Sequence, residues 1–116
     1  MHLVQFFLEF LVNLKMYHWR TQSYPRHKAS DDCFQKMQTL IDQFVEVYVG
    51  RHGRKPFLSS NECCAIHSLN DKTMPKYVQG FRNKIQRFKI RDPELLNIRD
   101  EIIGELNQCL YLFTLD

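Results

Sequence analysis

Apolar residues recur at helical spacing in four stretches of the chain, and nowhere do they alternate with the two-residue period of a strand. On a wheel of about 100° per residue, Leu3, Phe6, Phe7, Phe10, Leu11, Leu14, Tyr17 and His18 share one side of the first stretch. This predicts an amphipathic helix with His18 on its buried face. It should end near Gln22, because Ser23, Tyr24 and Pro25 disfavour further helix, and the residue before a proline is pushed toward extended geometry.

A second helix is predicted from about His27 to Gly50, with Phe34, Met37, Ile41, Phe44, Val45 and Tyr48 as its apolar arc and Gly50 near its C-terminal cap. The stretch from Arg51 to Lys72 is the least periodic, and reads as a long connection with a short helical turn near Cys63 to Ser68. Thr73 and Pro75 have cap and first-turn character, and Tyr77, Val78, Phe81, Ile85 and Phe88 then mark a third helix. Asp92-Pro93-Glu94 is a stronger start signal, followed by Leu95, Leu96, Ile102, Ile103, Leu106, Leu110 and Phe113 on one face of a fourth. Four helices in one domain, residues 1–116, predict an all-α four-helix bundle.

Composition agrees with a packed core: 44% hydrophobic, 25% charged and 13% aromatic residues are globular values and exclude a disordered chain. The net charge of +3 permits nucleic-acid contact without requiring it. Arg51, His52, Arg54 and Lys55 form one basic cluster, and Lys76, Arg82, Lys84, Arg87, Lys89 and Arg91 another, read first as solvated faces. Nucleic-acid binding through the basic third helix is a subsidiary reading. The opening MHLVQFFLEFLVNLKMYHW has no basic leader and no small-residue cleavage site, and Glu9 interrupts it as a membrane span. Cys33, Cys63, Cys64 and Cys109 lack C-x-x-C spacing, so reduced thiols and a cytoplasmic protein are expected.

The candidate chemistry lies in His18, His27, Asp31, Asp42 and Glu46, at the edges of the first two apolar faces. Imidazole and carboxylate together suit non-haem iron, with manganese or zinc as alternatives. His27 and Asp31 are one helical turn apart, as are Asp42 and Glu46, so each pair can share a metal. The two pairs cannot meet on one straight helix, since His27 and Asp42 are separated by about 22 Å. Antiparallel pairing of second helices in a homodimer brings them together, and the short Ser23 to Arg26 turn holds His18 near His27. Asp42 and Glu46 repel each other mildly at this spacing, which a bound cation would relieve.

His18-Trp19, His27 followed by Asp31, and Asp42 with Glu46 resemble the ferroxidase motif of Dps-type miniferritins. The phrase YHWRTQSYPRHKASDDCFQKMQTLIDQFVEVYVGR, with the final LLNIRDEIIGELNQCLYLF, looks closer still to an uncharacterised family of short ferritin-like proteins of large DNA viruses and bacteriophages. The resemblance implies a ferritin-like bundle whose two histidines and three acids bind iron across a dimer interface, or in a higher oligomer, and oxidise it preferentially with peroxide. The interval from His18 to His27 is shorter than in Dps proteins, which shifts His18 around its helix. A virus-encoded protein of this kind would act in the host cytoplasm or the virion. The competing expectation, from another class, is a non-catalytic viral accessory or virion-associated interaction protein on the same bundle.

Other polar residues read as structural. Asp32 points about 100° away from Asp31 and belongs to the surface. Asp100, Glu101 and Glu105 form no Glu-x-x-His pair. Arg99 falls on an apolar face and is expected to pair with a buried carboxylate or a second subunit. Cys63, Cys64, His67 and His52 make a poor zinc set, because adjacent cysteines cannot easily share a tetrahedral ion.

Overall fold

The computed structural model describes residues 3–55 and 64–115. Four α-helices account for its regular structure: α1 (Leu3–Arg20), α2 (Tyr24–His52), α3 (Met74–Gln86) and α4 (Pro93–Leu112), with no strand among the described residues. The expected all-α four-helix bundle is what the chain forms. None of these helices is long and apolar enough to cross a membrane.

α2 is longer at both ends than its apolar pattern predicts. Ser23 is its N-cap, in extended backbone, and its hydroxyl accepts the Arg26 amide proton at 3.3 Å. Pro25 then sits in the first turn, where its missing N–H costs nothing, so the proline expected to stop a helix instead helps to begin α2. At the other end, Gly50 lies inside the helix and Gly53 caps it, at φ +85°, donating its amide to the Val49 carbonyl at 2.8 Å. The helical turn expected near Cys63 to Ser68 is not found in residues 64–68; Cys63 lies outside the described residues.

The core is laid down mainly by rings. Phe10 of α1 stacks on Phe81 of α3 with centroids 3.9 Å apart, Phe6 stacks on the same ring at 4.7 Å, and Phe7 meets Phe44 of α2 edge-on at 5.2 Å. These contacts set the spacing of α1 from α3. α2 and α4 pack closely along Cys33, Met37, Ile102, Leu106 and Cys109, all buried. Burying one such large side chain contributes about 1.5–3 kcal/mol.

Two departures from the predicted faces matter for the site. Ala29, Ser30, Cys33, Met37, Ile41 and Phe44 are the buried face of α2, so its apolar arc is turned away from Phe34 and Val45, which stay partly exposed. Ile98 and Cys109 likewise join the buried face of α4, while Leu96, Ile103 and Leu110 are only partly covered. Arg99 does not find the buried carboxylate expected of it: its Nη2 reaches the exposed Asp100 at 3.2 Å, and its buried Nε has no hydrogen-bond partner.

The segment from Cys64 to Thr73 is irregular but fastened down. The Asn13 amide, buried on α1, donates to the carbonyls of Glu9 and Ala65 at 2.8 Å each, and its oxygen accepts the His67 amide proton at 2.7 Å. Glu9 accepts the Ala65 amide at 2.7 Å. Further on, the Asp71 carboxylate accepts from the Tyr17 hydroxyl at 2.7 Å and Thr21 at 2.8 Å. The connection is thereby laced to α1 over most of its length.

Candidate metal centre

The geometry begins at the turn between α1 and α2. Three residues separate the two helices, so the end of α1 and the start of α2 lie side by side, and His18 meets His27. Their rings stack with centroids 3.9 Å apart and planes 18° from parallel. The short turn holds the two rings in contact, as its length predicts.

Each ring also grips the other residue's backbone. Nδ1 of His18 is 2.9 Å from the His27 carbonyl oxygen, and Nδ1 of His27 is 3.0 Å from the His18 carbonyl oxygen. A carbonyl only accepts, so both Nδ1 atoms carry the proton, and a neutral ring at either position offers its lone pair at Nε2. Metal-ligating histidines are fixed in this way, with one nitrogen donating to backbone or carboxylate and the other left for the ion. Ser30, buried beneath, donates to the His27 carbonyl at 3.1 Å and lies 3.2 Å from His18 Nδ1. His18 is buried and His27 half-buried, so the pair is anchored from inside and open on one edge.

Asp31 follows one turn after His27 and is half-buried. Asp42 and Glu46 lie farther along α2, both exposed. Of the five candidates the structure brings His18 and His27 into contact, places Asp31 one turn further along α2, and leaves Asp42 and Glu46 apart. Among the described residues of one chain, no three His, Cys, Asp or Glu side chains are close enough to hold a metal ion.

Between the half-sites runs an apolar groove of about 860 Å³ along α1 and α2. Its walls include Leu8, Leu11 and Val12 from α1, and Phe34, Ile41 and Val45 from α2, with Asp42 at its edge. Leu8 is 49% exposed there, a large apolar side chain left in water. Lys15 lies over the Phe34 ring at 4.5 Å and the Trp19 ring at 5.7 Å, bringing the one charge of α1 that faces the groove. Sequence reasoning placed Phe34 and Val45 in the core; the structure puts them on this open wall.

At the opposite end of α2, Asp92 gathers Arg51 and His52. Arg51 Nε is 3.2 Å and His52 Nε2 is 2.8 Å from its carboxylate, and Arg51 also reaches Glu94 at 3.2 Å. The His52 hydrogen bond, then the charges of His52 and Arg51, hold the Asp92 carboxyl below its ordinary value. Asp92 therefore spends its oxygens on α2, and makes no side-chain cap to α4. His52 is thus committed to Asp92, and of the residues weighed as a zinc set Cys63 lies outside the described residues.

No solved structure matches the chain. It is 33% identical over 99 residues, 85% of this chain and 75% of the relative, to the uncharacterized 14.6 kDa protein in the mobD-ri intergenic region of Enterobacteria phage T4. A model for a family of unknown function, DUF5856, matches residues 18–113, a span that opens at His18 and takes in every candidate ligand as well as α3 and α4. By that match the chain belongs to the DUF5856 family.

Proposed function

We propose that two copies of this chain pair through α2 to bind iron, as Dps-type miniferritins do, and that the bound Fe(II) is oxidised by peroxide or oxygen. The observation that carries this reading is the reciprocal hydrogen bonding of His18 and His27, which uses both Nδ1 atoms on backbone carbonyls and leaves Nε2 of two adjacent imidazoles as the lone-pair nitrogen.

The second half of each site comes from the other copy. In an antiparallel pairing, His27 with Glu46 and Asp31 with Asp42 share one midpoint, between Lys36 and Met37. Phe34, Gln38 and Thr39, around that midpoint, line the apolar groove, so a crossing helix would cover the surface the bundle leaves open. The charges favour the same arrangement, with Arg26 and Lys28 near the start of α2 and Asp42 and Glu46 toward its end. Each dimer would then have two identical sites, with His18 an additional imidazole ligand in each.

Fe(II) is the substrate. Two Fe(II) ions give one electron each to hydrogen peroxide, whose O–O bond breaks, and two protons complete two waters as both ions become Fe(III). The chain's part is to hold ligands of mixed N and O type, to keep the histidine tautomer, and to shield the site with the apolar groove wall. Manganese or zinc would bind the same donors without this redox step.

Native mass spectrometry during anaerobic Fe(II) titration tests the reading. The expected species is a dimer that takes up metal, with uptake lost in His27→Ala and in Asp42→Ala. A metal-free protein at micromolar iron would favour the accessory-protein reading, in host cytoplasm or virion, for which the phage relative is the supporting observation.

A further inference from the structure

At the interface of α2 with α4, two buried thiols border the same small cavity. Cys33 and Cys109 are 3% and 2% exposed, and both line this space between the two helices. They come from helices packed along their length, so neither sulfur can leave the other without opening the bundle. We propose that Cys33 and Cys109 are a redox pair, converted by hydrogen peroxide into an intrachain disulfide that fastens α2 to α4. This site is independent of the iron reading.

Access selects the oxidant. Beside the thiols lies a cavity of about 10 Å³ bounded by Ala29, Asp32, Gln108, Leu112 and the Lys36–Glu105 ion pair, whose charged atoms lie 3.7 Å apart. That admits something of the size of water, and hydrogen peroxide is the small uncharged two-electron oxidant nearest to it, whereas a disulfide such as oxidised glutathione has no way in. The Lys36–Glu105 pair is half in solvent and can part without breaking the core.

The chemistry balances in two steps. One thiol, reacting as its thiolate, attacks peroxide; the O–O bond breaks, giving a sulfenic acid and one water. The neighbouring thiol then displaces the sulfenic hydroxyl, forming the S–S bond and a second water, so two thiols lose two electrons and two protons to one peroxide. The second step needs no large movement, because both thiols line the same small cavity between α2 and α4. Adjacency thereby protects the pair from further oxidation.

The test is peptide mapping of the whole protein after peroxide exposure, with alkylation in denaturant. The expected product has lost about 2 Da, joins the Cys33 and Cys109 peptides, and reverts with a thiol reductant. Its thermal midpoint should rise by more than about 5 °C. The link should survive in the Cys63→Ser, Cys64→Ser double variant, which keeps both core thiols. Complete alkylation of Cys33 and Cys109 after oxidation, separate sulfinic acids on them, or loss of the link in that double variant would each overturn the proposal.

Discussion

Asn13 carries more of the molecule than its size suggests. One buried amide closes on two carbonyls and an amide proton, standing in for a strand partner to residues 65–67. Asn13→Ala should therefore cost about 1–3 kcal/mol in denaturant unfolding, because it strands the Ala65 carbonyl and the His67 amide. Asp71 acts at the same scale but through charge. The Tyr17 hydrogen bond first, then Thr21 and the Arg26 charge, hold its carboxyl below the ordinary value. A carboxyl lowered by folding adds stability above its unfolded value of about 3.9, and that stability is lost as pH falls through the lower folded value. Wild type should thus exceed Asp71→Asn in stability at pH 7, by under about 1 kcal/mol since the group is exposed, and the gap should close in acid. A gap unchanged between neutral and acid pH would contradict this. Neither residue was legible in the sequence as a partner, since Asn13 and Asp71 meet groups far away along the chain, whereas His18 and His27 were, because a short turn between helices leaves little freedom.

At the scale of elements, start signals read better than stop signals. Asp92-Pro93 and Thr73 with Pro75 each begin a helix as expected, since proline in a first turn has a local cause. Gly50 and Gly53 show why the end of α2 was misplaced. Both are candidate caps by composition, and only backbone conformation separates them: Gly53 has φ +85° and ψ −175°, a region almost confined to glycine. Gly53→Ala should destabilise by about 1–3 kcal/mol. Gly50→Ala should instead stabilise by about 0.5–1 kcal/mol, because the position is helical and nothing lies within 4 Å of the added methyl. Thermal unfolding of the two variants reads opposite signs. The turned face of α2 has a similar origin: its apolar arc is wider than one bundle can cover, and periodicity alone does not say which edge is left outside.

At the scale of the whole molecule, that uncovered edge and the divided ligands point the same way. Phe34, Val45 and Leu8 keep apolar surface in water beside Asp42, while the stacked His18 and His27 lie one half-helix away. Leu8→Lys should leave the monomer folded, since the side chain is half exposed, and should abolish both dimer and iron uptake in light scattering with metal analysis. The four-helix architecture could be read from the chain alone; the proposed division of the five candidate ligands between two subunits rests on helix rise, and the groove offers a surface for the proposed pairing. The most direct test of that division is complementation between a His27→Ala, Asp31→Ala chain and an Asp42→Ala, Glu46→Ala chain. Each alone should bind no iron. Refolded together in equal amounts, half of the dimers are mixed and each mixed dimer regains one intact site, so iron uptake should recover to about a quarter of wild type. Uptake that stays at zero in a mixture shown to contain the mixed dimer, or that is full in a wild-type monomer, would contradict a site shared between two chains.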